Sequence, residues 1–174
     1  MKHALYYTLV FFAAFQSCGQ KTQQSIRLSD LSFNSIFANS RTDSLHMYCL
    51  LGSGYFRTPR SDNADSLVMD WLIKHPNADV IPVSTLSSYP GSKMTYCWLV
   101  DGKDTLNNYL VRNGCFPGGT MLGPKKSNGG KETLELDFNV TVHIDGTSYN
   151  KFLDQIRAAE DYAKTNKLGI WNNK

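Results

Sequence analysis

Apolar and polar positions along the chain alternate between β-type and helical spacing. Residues 44–51 are apolar and β-prone and run into a Gly52-Ser53-Gly54 turn, which predicts a strand. The period then changes. Leu67, Val68, Trp71 and Leu72 make one face of a helix that starts at a Ser61 or Asp62 cap, carries Asp65 near its positive end and stops at His75-Pro76. Residues 78–84 read as a strand whose Pro82 belongs at an edge or a bulge, because proline has no N–H to donate. Residues 93–100 read as a strong strand turned by Asp101-Gly102. A short helix follows, capped by Asp104 or Thr105 and ended by Gly114 in the left-handed conformation.

Beyond Cys115-Phe116 comes a loop with two glycine pairs, then a clear alternation over 133–145. Leu134, Leu136 and Phe138 share a face, and the stretch reads as one long bulged strand or two strands meeting near Asn139. Tyr149, Phe152, Ile156, Ala159 and Ala163 then mark a helix of about 20 residues with a Thr147 or Ser148 cap. The apolar Ile170 after Gly169 fits a Schellman-type return at its end. The order of elements predicts an α+β fold: an OB-fold-like five-stranded β-barrel with packed helices and an inserted β segment.

The first residues do not belong to that fold. Lys2 and His3 precede an apolar run from Ala4 to Phe15, which is too short to span a bilayer, and small or polar residues lead to Cys18. Residues 1–17 therefore read as a signal peptide. The cysteine at the cleavage point resembles a bacterial lipoprotein signal, which implies lipidation at Cys18 and a membrane-anchored protein of the cell envelope, periplasmic or at the surface. Residues 18–30 read as a polar tether and 31–174 as the folded domain. Without Lys2 the charge balance is 17 basic to 15 acidic residues, so bulk charge gives no reason to expect nucleic acid. Cys49, Cys97 and Cys115 are an odd set in apolar surroundings. Export would permit a disulfide, but buried free thiols are the simpler reading. No His/Cys cluster has metal-ligand spacing.

Two phrases carry a resemblance. Residues 95–116, TYCWLVDGKDTLNNYLVRNGCF, and residues 152–171, FLDQIRAAEDYAKTNKLGIW, resemble a core block and the closing helix of the staphylococcal-nuclease (thermonuclease-like) family, in the family's order. Residues 44–116 and 148–172 can be laid over that family's core, leaving 117–147 as an insertion. Both phrases are architectural, so they imply a fold more than a reaction. The family cleaves phosphodiesters with calcium held by carboxylates and with arginines on the phosphate. Laid over its motifs, the chain has Arg57 and Arg60 where the family has acids, Gly52 where it has an arginine, Lys93 for another arginine, and Asp43 as the one acid left for the first motif. Cations in place of calcium ligands repel the metal.

The resemblance thus implies a catalytically degenerate barrel with no cofactor that binds a ligand or a protein. The alternative is an exported calcium-dependent nuclease. Weak catalytic candidates are Asp43 and Lys93, and Arg57, Arg60 and Lys93 are candidate anion-binding residues for a phosphate-bearing or other anionic ligand. Against this, Arg57 and Arg60 beside Asp62 and Asp65 read equally as solvated loop charges. Trp98, Tyr96 and Tyr109 at alternating and helical spacing read as core before they read as a stacking platform. Lys125-Lys126 read as a solvated loop before an anion contact, and Glu160 as an ion-pair partner of Lys164.

Overall fold

The computed structural model describes residues 26–50, 59–87, 91–118 and 139–172. Among these, eight strands and three α-helices form one α+β unit. The strands are β1 (Ile26–Arg27), β2 (Leu31–Phe33), β3 (Phe37–Ser40), β4 (His46–Leu50), β5 (Asp79–Ser87), β6 (Lys93–Asp101), β7 (Asp104–Thr105) and β8 (Asn139–Val142). The helices are α1 (Ala64–Lys74), α2 (Leu106–Arg112) and α3 (Gly146–Thr165). No helix among the described residues is long and apolar enough to cross a membrane.

The sheet runs β1-β5-β6-β4-β3-β2 and is mixed, since β4 pairs parallel to β6 while the other neighbours are antiparallel. β1 and β2 are consecutive in sequence, joined by a 3-10 turn at Leu28–Asp30. One stretch of chain thus pairs with β5 at its start and with β3 at its end, which draws the two edges together into a nearly closed barrel, compatible with an α+β OB-like fold. Residues 26–30, expected in the tether, are part of this wall: Ile26 pairs with Val80 and Arg27 with Asp79.

Pro82 sits at a bulge in β5, as its missing N–H requires, and the register shifts between Pro82 and Ser84. The bulge divides one edge of β5. β1 pairs before it, and β8 pairs with Ser84–Ser87 after it. So the later part of the 117–147 stretch, expected as an insertion, includes a strand of the same sheet; residues 119–138, with the alternating run at 133–138, lie outside the described residues.

Alternation along the strands builds two cores. Inside the barrel, Tyr48, Leu50, Val80, Cys97 and Leu99 pack with Val68 and Trp71 of α1 and with Leu106 and Leu110 of α2. On the outer face of β5 and β6, Val83 and Trp98 meet Ile156 and Ala159 of α3. Each large apolar side chain buried in this way stabilises by about 1.5–3 kcal/mol. Trp98 is fully buried and stacks on Phe152 with centroids 4.2 Å apart, while Tyr96 and Tyr109 pack against the two cores. These aromatics build the fold and offer no open stacking platform.

Helix ends follow local chemistry, with three shifts from expectation. α1 starts after Asn63, while Ser61 precedes the helix and donates its hydroxyl to Asn63 Oδ1 at 2.8 Å. α3 is capped by Asp145, whose carboxylate accepts from Ser148 N–H at 2.9 Å, so the cap precedes the expected Thr147 or Ser148. Thr105 caps α2 as expected, accepting from Asn108 N–H at 3.1 Å. Both α2 and α3 end in Schellman geometry. Cys115 N–H donates to Leu110 O and Gly114 N–H to Val111 O, with Gly114 at φ +67°. In α3 the left-handed residue is Lys167 at φ +53°, and Leu168 N–H donates to Ala163 O, so the return is made by Leu168 and not by Ile170.

Gly169 has a different task. Ile170 N–H donates to Gly114 O at 2.9 Å, and the two glycine backbones touch. A Cβ on Gly114 would lie 2.6 Å from the Leu168 carbonyl carbon, and one on Gly169 would lie 2.7 Å from the Gly114 carbonyl carbon. This contact is where the two phrases, 95–116 and 152–171, meet. A second device fixes α2 to the sheet. Asn107, 1% exposed, accepts from Leu99 N–H at 3.1 Å and donates to Cys97 O at 3.2 Å. Its amide bonds the β6 backbone as a neighbouring strand would.

Candidate functional site

Where β2, β4 and β6 begin and β3 and β5 end, the barrel interior opens into a cavity of about 330 Å³. Its lining is mixed. Ile26, Leu31 and Pro82 are apolar, while Asp30, Asp43, His46, Tyr48, Thr85, Thr95 and His143 are polar. Tyr48, Thr95 and Thr85 are register partners on three adjacent strands, so they share the inward face. His46 lies two residues before Tyr48 on the same face, and His143 follows β8, where its N–H donates to Val83 O at 2.9 Å.

These side chains form one hydrogen-bonded line. His46 Nε2 lies 2.7 Å from Thr95 Oγ1, Thr95 Oγ1 lies 2.7 Å from Thr85 Oγ1, and Thr85 Oγ1 lies 2.8 Å from His143 Nε2. The His46 ring stacks on Tyr48 at 4.4 Å, and Tyr48 Oη is 3.5 Å from His46 Nδ1. Thr95 is 2% exposed, so this polarity is built into the wall. Burial, and next the Lys93 ammonium, hold His46 below its ordinary pKa, with Asp43 acting in the opposite sense. Burial raises the Tyr48 phenol.

Asp43 and Lys93, the candidates named from two separate motifs, meet on the rim of this cavity at 3.9 Å. Both side chains are more than two-fifths exposed, so the pair is loosely held and contributes little to stability. Asp43 also accepts from Leu45 N–H at 3.0 Å, which closes its turn. Arg60 is elsewhere. It is paired with Asp65 at the start of α1 and lies over the Phe116 ring at 6.0 Å. Arg57, Cys18 and Lys125-Lys126 lie outside the described residues. Glu160 pairs with Lys164 at 3.4 Å.

The described part of the expected calcium set does not suit that ion. Calcium takes six to eight hard oxygens, roughly, yet Asp43 faces an ammonium. Among the described residues no three His, Cys, Asp or Glu side chains come together as a metal site.

Cys49, Cys97 and Cys115 are buried and free. Burial pushes the Cys49 thiol up to about 12 and raises Cys97 and Cys115 as well, so none is a ready thiolate.

The histidine–threonine line was not visible as a motif. Its four members are spread from position 46 to position 143, and the parallel pairing of β4 with β6 that assembles them has no local sequence mark. From the sequence the histidines were weighed only for metal-ligand spacing, which His46 and His143 lack. No known protein family and no curated protein matches the chain when its sequence is compared with them.

Proposed function

We propose that the protein is an envelope lipoprotein, anchored by a lipid on Cys18, whose thermonuclease-like barrel is a binding module and no longer a hydrolase. The ligand is a small phosphate-bearing or otherwise anionic molecule taken at the barrel mouth. The observation that carries this reading is the position of Lys93. By the resemblance it takes the place of a phosphate-gripping arginine, and it lies beside a cavity with hydroxyl and imidazole groups already in place. A lysine there offers a point charge without an arginine's two-pronged grip, which suits holding a phosphate more than stabilising its transfer. Arg60 lies elsewhere, at the start of α1, so Lys93, loosely paired with the lining residue Asp43, is the described anion-binding candidate beside this cavity.

The test is thermal unfolding of the full chain in detergent with EDTA, with calcium, and with a nucleoside bisphosphate in the presence or absence of calcium. Stabilisation by bisphosphate without calcium, lost in Lys93→Ala, is the expected result; saturation at one hundred times Kd adds about 2.7 kcal/mol. Stabilisation that needs both calcium and bisphosphate would replace this reading with the calcium-dependent nuclease. No response to any of them would remove the anionic ligand. The anchor is tested separately by acyl labelling, which must vanish in Cys18→Ala.

A further inference from the structure

The line of side chains in the cavity has a property that its members lack singly. Three hydrogen bonds join His46 Nε2, Thr95, Thr85 and His143 Nε2, and each bond needs one proton. The two hydroxyls supply two, so at least one imidazole Nε2 must supply the third. With both rings bare at Nε2, one of the three contacts would bring two lone pairs together with no proton between them. The neutral line therefore has two directions. In one, His46 donates to Thr95, Thr95 to Thr85, and Thr85 to His143. In the other, every bond is reversed. Tyr48 favours the first. Its buried phenol keeps its proton and faces His46 Nδ1, so it donates there, and the ring's own proton sits on Nε2. A head-to-tail line of this kind polarises its far end, which makes Thr85 a strengthened donor to His143 Nε2.

We propose that His46, Thr95, Thr85 and His143 form a proton relay in which two histidines share one proton and take a second only in a distinct, more acidic step. The transfer balances without any other reactant. A proton from solvent binds His46 Nδ1 as the Tyr48 hydroxyl turns its own proton away and becomes the acceptor there. The Nε2 proton of His46 passes to Thr95 Oγ1 as the proton of Thr95 passes to Thr85 Oγ1 and that of Thr85 passes to His143 Nε2. His46 is left neutral with its proton on Nδ1, both threonines remain hydroxyls, and His143 is the imidazolium. Three bonds to hydrogen break and three form along the line.

The groups facing the pair set the sign of the second step. Lys93 on β6 opposes further positive charge, while Asp43 in the β3–β4 turn and Asp30 before β2 favour it. Each charged ring opposes the other. The second proton thus places two like charges across a short line of hydroxyls, and one of them belongs to the residue that ties the end of β8 to the barrel. This inference needs no ligand, so it stands or falls apart from the binding reading above.

The experiment is a histidine titration by NMR on the full chain in detergent, from about pH 8 to about pH 4.5, following the ring signals of His46 and His143. His75, hydrogen-bonded to Asp101 at 2.8 Å and outside the line, is followed in the same spectra for comparison. The expected result is two steps separated by more than about one pH unit, each registered at both rings. Thr85→Val removes the hydroxyl at similar shape and leaves each ring with its own single step. Thr85→Ser restores the shared pair. Independent one-step titration of the two rings in the unmodified protein would overturn the proposal, and so would shared steps that persist in Thr85→Val. If Thr85→Val does not fold, Thr95→Val cuts the same line one bond away and is read in the same way, with the unmodified chain still decisive alone.

Discussion

Gly114 and Gly102 have nearly the same backbone, and comparing them isolates what the glycine contact contributes. Both are left-handed, at φ +67° and +59°. A Cβ on Gly102 meets nothing within 4 Å, whereas a Cβ on Gly114 falls against the Leu168 carbonyl and 3.0 Å from Gly169 N. Gly102→Ala should therefore cost only the left-handed penalty of about 1 kcal/mol. Gly114→Ala adds a backbone collision that no rotamer relieves. At the usual cost of forced overpacking, that adds about 2 kcal/mol for a total of about 3 kcal/mol. In melting temperature this is about 3 °C against about 9 °C for a chain of this size. Urea unfolding followed by tryptophan fluorescence measures both. Gly169→Ala should resemble Gly114→Ala, and the double variant should cost less than the sum, because each removes the same contact, including the Ile170 N–H bond to Gly114 O. Equal losses in Gly102→Ala and Gly114→Ala would refute the reasoning.

Other predictions rest on single devices. Asn107→Leu leaves the Leu99 N–H and the Cys97 carbonyl buried without that partner, so it should lower stability by about 3 kcal/mol in the same assay. His46 is held below its ordinary pKa of 6.5, so the unfolded chain binds a proton more readily than the native one; its contribution is complete above that value and is lost as pH falls below it. The urea midpoint should then be lower at about pH 5.5 than at about pH 7.5, and His46→Asn should flatten the difference. The raised thiols of Cys49, Cys97 and Cys115 should stay silent to Ellman's reagent in the native protein and react on unfolding. Thr105→Ala should cost about 1 kcal/mol through loss of the α2 cap.

What was legible in the chain was local. Pro82 announced its bulge, Gly114 its left-handed stop and Thr105 its cap, because each is a residue whose own chemistry restricts the backbone. The helical faces of α1 and α3 were legible for the same reason, since periodicity is a property of near neighbours. Distant pairings were not. Ile26–Arg27 has too few residues to show alternation, so its place in the wall depends on the free edge of β5. The Asp145 cap was displaced by the chain entering α3 from β8 earlier than its apolar pattern begins. For the cavity, Asp43 and Lys93 were reachable through the family resemblance, one motif at a time, but His46 and His143 were read only as residues too far apart for a metal. Their partnership runs through two threonines that no motif distinguishes.

The divided edge of β5 ties an early and a late segment of the chain to a single strand. Ile26–Arg27 occupy the half before the bulge and Asn139–Val142 the half after it. During synthesis the first half can be filled as soon as β5 emerges, since its partner has already been made. The second half must wait for more than fifty further residues. Through that interval Ser84–Ser87 lack the β8 ladder and are open to a strand from any other chain. A ribosome that stalls, or a nuclease that truncates the message, after Phe116 would therefore release a product prone to pair with its own copies. The hazard comes from the schedule on which one edge is completed and not from any weakness in the finished barrel.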